Sequence, residues 1–137
     1  MKLFVDSSAF IALADRSDQD HKAAEDFFRE CAPEAQVHTS NYIVAETITR
    51  LRRTARHHAA AQWTKAVFES RQTTRHYVDA ETELEAVQVF ERYRDHFLSF
   101  TDCTTIVLLR RLRLDRIFSF DQDFRRLGYA LLPGALR

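Results

Sequence analysis

The sequence predicts an α/β fold built on a mostly parallel sheet, and two observations predict it. Short runs rich in β-branched and aromatic residues alternate along the chain with longer apolar stripes of helical period. Crossovers between such strands are right-handed and place helices on both faces of the sheet. In addition, acids sit at the ends of short apolar runs: Asp6 after Leu3-Phe4-Val5, Asp102 after Leu98-Ser99-Phe100-Thr101, and Asp121 after Ile117-Phe118-Ser119-Phe120, with Glu46 following Tyr42-Ile43-Val44-Ala45. Ligands of parallel sheets bind beyond the carboxyl ends of the strands, which is where Asp6 and Asp121 fall.

Taken in order, Lys2 to Val5 reads as the first strand, and Ala9 to Ala14 as the helix after it. Asp15 to Asp20 is a polar loop, with Asp20 placed to cap a helix whose stripe of Ala24, Phe27, Phe28 and Cys31 stops before Pro33. A second strand follows at Gln36 to Thr39. Ser40 or Asn41 then caps a helix carrying Ile43, Val44, Ile48 and Leu51, and a further helix holds Ala59 to Phe68. The third strand is expected at His76 to Val78. Glu81 to Phe97 reads as a helix with Leu84, Val87, Phe90 and Phe97 turned inward. Asp102 opens an apolar helix over Ile106 to Leu112, Arg116 to Phe120 forms the fourth strand, and Ala130 to Leu132 a short last one.

A chain of 137 residues supports one domain, 1–137, with a real core. Its 45% hydrophobic and 29% charged residues are those of a soluble globular protein. No apolar run approaches the roughly 18 residues of a membrane span. The N-terminus meets Asp6 before any signal-peptide stretch could form, so a cytoplasmic location is expected. Cys31 and Cys103 match neither a disulfide framework nor zinc spacing and are expected to be reduced.

Net charge is zero, so the overall field favours no polyanionic partner. The distribution says more: of the 20 basic residues only Lys2, Lys22 and Lys65 are lysines, and arginines cluster at 50, 52, 53 and 56 and at 110, 111, 113 and 116. Solvated helix ends account for such clusters. A phosphate-binding rim accounts for them too, because guanidinium grips phosphate through two hydrogen bonds.

Each acid has an ordinary explanation. Asp102 and Asp121 could cap helices, Asp6 could close its strand beside Ser7 and Ser8, and Glu46 could pair with Arg50 one turn along its helix. Together they suggest more, since carboxylates are rarely held against core segments unless paired or bound to a cation. A cluster of them raises at least one pKa unless a cation neutralises it, and an all-oxygen set suits magnesium or manganese.

The four segments Phe4-Val5-Asp6-Ser7-Ser8-Ala9, Val44-Ala45-Glu46, Leu98 to Thr104 around Asp102, and Ile117 to Phe124 around Asp121, closing on Gly128-Tyr129, resemble the PIN-domain ribonucleases, in particular VapC-type toxins of toxin–antitoxin pairs. The resemblance spans essentially the whole chain. It implies a three-layer α/β/α sandwich with a mostly parallel sheet of four to five strands. It further implies a Mg²⁺- or Mn²⁺-dependent endoribonuclease, with Asp6, Glu46, Asp102 and Asp121 in the catalytic positions. Of these, Asp6, Asp102 and Asp121 are the expected metal ligands, with Asp123 and Ser119 auxiliary and Arg50, Arg53 and Arg110 reaching toward RNA. Hydrolysis would leave a 5′-phosphate and a 3′-hydroxyl. The implied partners are RNA, a cognate antitoxin and a second copy of the chain, with no membrane.

Other functions fit less well. A phosphatase of the haloacid-dehalogenase type needs a second aspartate where Ser8 stands, and a glycine-rich phosphate loop fails for want of glycines beyond Gly128 and Gly134. Adjacent His57 and His58 point apart on a helix, and Asp15, Asp18 and Asp20 lack the glycine and terminal glutamate of a calcium loop. Trp63 and Phe68 suit a core or a partner surface. The remaining alternatives are a non-catalytic RNA-binding module on the same fold and an RNA-processing nuclease without an antitoxin.

Overall fold

The computed structural model describes residues 1–134. Five short strands run parallel. β1 (Lys2–Phe4) pairs with β2 (Gln36–Ser40), setting Phe4 beside His38, and β2 pairs with β3 (Thr73–His76). β4 (Arg116–Phe118) pairs with β5 (Ala130–Leu132). A single bridge between Val5 and Phe118 joins the three-stranded and two-stranded pieces, and the Asp6 amide donates to the Phe118 carbonyl at 3.0 Å beside it. The spatial order is therefore β3-β2-β1-β4-β5, in the range of four to five strands expected.

Parallel strands need long crossovers, and helices supply them. α1 (Ser7–Ala14) packs on α2 (His21–Cys31) and α3 (Asn41–Thr54), and α3 packs on α4 (Arg56–Glu69). α5 (Ala80–Arg92) packs on α6 (Phe100–Leu112), and the short α7 (Gln122–Arg126) leads into β5. The central strands bury Leu3, Phe4, Val5, Ile117 and Phe118 with Ile106, Leu109 and Phe124 from the helices. Trp63 of α4 packs edge-on against Phe10 at 5.0 Å, whereas Phe68 is exposed, with the Arg75 guanidinium 3.9 Å from its ring centre. Cys31 and Cys103 are both free thiols. Among the described residues no helix is long and apolar enough to cross a membrane.

Four expectations need correction. β3 lies at Thr73–His76 rather than His76 to Val78, because the Val78 amide leaves the ladder to donate to Asn41 Oδ1 at 2.7 Å. The helix expected to reach Phe97 ends at Arg92, and its supposed core stripe faces outward: Leu84 is 68% exposed and Phe97 97%, with Val87 and Phe90 also exposed. The buried side is Thr82, Ala86 and Val89, small residues at i, i+4 and i+7 on the face that packs against α6. Ser99, not Asp102, is the N-cap of α6, and Asp102 stands at its third position. Asp20 occupies the N-cap position of α2 without a side-chain cap bond, unlike Ser40, whose hydroxyl accepts from the Ile43 amide at 3.1 Å.

Candidate active site

Asp6 follows β1 directly and is 2% exposed. Its carboxylate does not cap α1. Instead Oδ2 accepts from Ser119 Oγ at 2.9 Å and from Ser8 Oγ at 3.0 Å. Each hydroxyl has one proton to give, so with both spent on Asp6 the 3.1 Å contact between Ser8 and Ser119 carries none. Both hydroxyls are fixed from behind as acceptors, Ser8 by the Phe120 amide and Ser119 by the Asp121 amide, each at 3.0 Å. Burial pushes the Asp6 carboxyl above its ordinary value, the two serines pull it back, and nearby Glu46 adds to the rise.

Glu46 lies on α3, half-buried. It accepts a short hydrogen bond from Ser7 Oγ. That bond replaces the Arg50 ion pair that helical spacing allowed, of which no trace exists among the described residues. Ser7 and Ser8 thus point at two different acids from adjacent positions.

Asp102 is 8% exposed and belongs to a reciprocal cap. Its amide donates to Ser99 Oγ, and its Oδ2 accepts from the Ser99 amide, both at 3.1 Å. The carboxyl is nonetheless pushed up to about 7, first by burial and then by the charges of Asp6 and Asp121, against the pull of the Ser99 amide. Asp121 caps α7 through the Asp123 amide at 2.9 Å, and burial raises its carboxyl as well. Carboxylate oxygens of Asp102, Asp121 and Asp123 all lie within 4.8 Å of one another. This trio contains Asp123, expected only as an auxiliary; Asp6 stands beside it, close enough to be the largest charge felt by Asp102. Among the described residues, the arginine ion-paired to the trio is Arg126, 2.8 Å from Asp123. Acidic oxygens therefore outnumber protein cations in the pocket, and the donor set is all oxygen. Both properties fit a hard divalent cation such as Mg²⁺ or Mn²⁺.

The three arginines expected near RNA separate. Arg50 and Arg53 line a groove of about 640 Å³ together with Glu46, Tyr42 and Thr101. Arg110 lies eight residues beyond Asp102 on α6, about 12 Å along the axis, and its guanidinium reaches the Tyr93 hydroxyl at 3.4 Å.

The site is assembled from two parts of the chain: Asp6 and Glu46 from the three-stranded side, and Asp102, Asp121 and Asp123 from the side that contains β4 and β5. Its serines went unassigned in the sequence apart from Ser119. Two signals were present, the direct run Asp6-Ser7-Ser8 and the Ser99-to-Asp102 spacing of a capping box.

The PIN domain family matches residues 3–129, which include every one of these acids. The chain is a PIN-domain protein. This PIN domain is 31% identical over 127 residues to the 23S rRNA-specific endonuclease VapC20 of Mycobacterium tuberculosis strain H37Rv, a match spanning 93% of this chain and 95% of the relative. The VapC20 crystal structure, described as that of a sarcin-ricin loop cleaving toxin, superposes with a TM-score of 0.84 at 30% identity, over 93% of this chain and 95% of that one. A chain of VapBC2 from Rickettsia felis, bound to a fragment of its promoter DNA, shares the fold with a TM-score of 0.69 at 8% identity, over 96% and 97% of the two chains. Among PIN-domain proteins, this one is therefore of the VapC type.

Proposed function

We propose that this chain is a metal-dependent endoribonuclease that hydrolyses RNA phosphodiester bonds in its acidic pocket and acts as the toxin of a toxin–antitoxin pair. The observation that carries the reading is the convergence of Asp6, Glu46, Asp102, Asp121 and Asp123 from separate elements, with the Asp102 carboxyl displaced to about 7 by burial first and by its acidic neighbours second. A capping role alone explains Asp121 and Asp102 singly, but gives no reason to crowd five acids around one pocket.

On this reading Asp102, Asp121 and Asp123, with Asp6, hold Mg²⁺ or Mn²⁺. The bound ion would polarise the attacking water and neutralise charge on the phosphate and the leaving oxygen. Ser8 and Ser119 fix the Asp6 carboxylate, and Ser7 fixes that of Glu46. Glu46, which also lines the groove, would orient the water or complete the donor set. The products carry a 5′-phosphate and a 3′-hydroxyl. The resemblance to VapC20 makes ribosomal RNA the first substrate to offer.

Partner surfaces accompany the site. An apolar groove of about 330 Å³ between α1, α2 and α4, lined by Phe10, Leu13, Phe28, Trp63 and Val67, offers an antitoxin segment a hydrophobic seat. The exposed ridge of Leu84, Val87 and Phe90 on α5 suits a second copy of the chain. The protein would act in the cytoplasm, where its RNA is.

The test is cleavage of total RNA and of intact ribosomes by purified protein with Mg²⁺, Mn²⁺ or chelator, comparing wild type with Asp6→Asn and Asp102→Asn. Discrete metal-dependent products, absent in both variants and bearing 5′-phosphates, are expected. Cyclic 2′,3′-phosphate ends, or equal cleavage by the variants, would overturn the reading.

A further inference from the structure

Beside the acids, the groove along α3 has a chemistry of its own. Its lining residues Tyr42, Glu46, Arg50 and Arg53 recur at i, i+4, i+8 and i+11 on α3, on the face next to the buried one of Ile43, Val44, Thr47 and Leu51. Four residues of helix rise about 6 Å, so Tyr42 and Arg50 each stand about one turn from Glu46, on opposite sides of it.

Tyr42 is held unusually firmly for a groove residue. Its hydroxyl donates a short hydrogen bond to Glu83 of α5, and its ring rests on Phe100 of α6, with centroids 6.1 Å apart and planes tilted by 51°. The bond to Glu83 also raises the Tyr42 hydroxyl above its ordinary range, so it remains a donor. An aromatic ring fixed at its tip and on one flank presents a rigid surface at little entropic cost. The guanidinium groups of Arg50 and Arg53, by contrast, make no ion pair among the described residues, whereas Arg29, Arg111 and Arg126 are each committed to a carboxylate. Fixed aromatic surface followed by uncommitted arginines is the combination that binds single-stranded nucleic acid, through base stacking and phosphate contact.

We propose that Tyr42 is a positioning residue on which an unpaired base next to the scissile phosphate stacks, while Arg50 and Arg53 hold phosphates on the other side of Glu46. The groove then selects single-stranded or unstacked RNA, because a base inside a duplex has no free face to offer the ring. This deepens the ribonuclease reading and rests on it for the position of the scissile phosphate.

The experiment measures binding of a fluorescent oligo(U) RNA, and of an equally long ribose-phosphate chain lacking bases, to the Asp102→Asn protein in Mg²⁺. Tyr42→Leu, Tyr42→Phe and Tyr42→Trp are made in that background. Loss of one stacked base weakens binding by about 5- to 150-fold. Tyr42→Leu should therefore weaken oligo(U) by that factor and leave the baseless chain unchanged, while Tyr42→Phe and Tyr42→Trp retain most of the difference. Equal weakening of both ligands would make Tyr42 merely structural, and no weakening would remove it from the groove's function. If Tyr42→Leu fails to fold, the parent decides: equal affinity for oligo(U) and the baseless chain overturns the proposal. Wild-type cleavage of RNA is scored separately. A protein that cuts RNA but shows no base-dependent effect of Tyr42 keeps the nuclease reading and loses this one, and a protein that shows the effect but never cuts keeps base stacking on Tyr42 and loses both the nuclease reading and the scissile position.

Discussion

Ser119 Oγ donates to Asp6 Oδ2 at 2.9 Å across 113 positions of sequence, tying the end of β4 to the end of β1 at the centre of the pocket. With Ser8 it fixes the orientation of an acid that burial would otherwise leave reluctant to ionise. Partners behind a metal ligand typically matter by about 10–100-fold in metal affinity or activity. Ser119→Ala should therefore raise the Mg²⁺ concentration for half-maximal cleavage by a factor in that range, and Ser119→Thr should restore it. An unchanged Mg²⁺ titration in Ser119→Ala would detach the hydroxyl from the site.

The elevated Asp102 gives a pH dependence whose sign is fixed. Its folded carboxyl, at about 7, holds its proton more tightly than an ordinary aspartate near 3.8. Its contribution to stability is thus fully present below the unfolded value and is lost as pH rises through the folded one. His38 and His76, kept below their ordinary values mainly by burial, act in the opposite sense. The informative quantity is therefore the difference between variants. In chelator, Asp102→Asn should melt higher than wild type above neutrality, and the gap should close on acidification. A gap independent of pH would refute the electrostatic account.

Glu46 is oriented by Ser7 alone among the described side chains. Glu46→Gln, which keeps shape and removes charge, should lower kcat by about 10²-fold or more, and Ser7→Ala by a smaller factor, both with circular dichroism and melting temperature close to wild type. Single-turnover cleavage is the measurement, and full activity in Glu46→Gln would exclude it from the chemistry.

Arg50 and Arg53 should show themselves through salt. Each phosphate contact on a single strand contributes about 0.7 to the slope of log affinity against log salt. Arg50→Ala with Arg53→Ala should therefore flatten that slope by about 1.4, while Arg110→Ala, at the far end of α6, should leave it unchanged. A flattened slope in Arg110→Ala alone would move the RNA path to the other face.

The ridge on α5 predicts an assembly. Sedimentation should find wild type as a dimer, and Leu84→Glu with Phe90→Glu as a folded monomer, since exposed positions change stability by only about 0.5 kcal/mol. A dimer that survives both substitutions would place the interface elsewhere.

The sequence made the acids and the alternation of strands and helices legible because both are local in pattern: a strand ends, a carboxylate follows, and parallel topology brings such ends to one edge. It concealed which side of α5 is buried. There the usual weighting of bulk misleads, since close packing against α6 selects Thr82, Ala86 and Val89 and leaves Leu84 and Phe90 to solvent. It also concealed the division of labour among the serines, because a hydroxyl partner depends on chain brought in from more than a hundred residues away, as with Ser8 and Phe120. Asp102 fell between these cases. Its helix-terminal role was readable, but its exact position required Ser99, three residues earlier, as the cap.

The seam between the two sheet pieces, a single bridge at Val5 and Phe118, also governs when the acidic pocket comes into being. A chain still emerging from the ribosome has Asp6 and Glu46 long before it has Asp102, Asp121 and Asp123. Those two acids alone do not make the pocket, so a chain still on the ribosome carries an unfinished site. The pocket is complete only when β4 stands beside β1, after most of the chain has been synthesised. On the nuclease reading, a chain truncated before Asp102 should cut no RNA with Mg²⁺, while the full-length chain should.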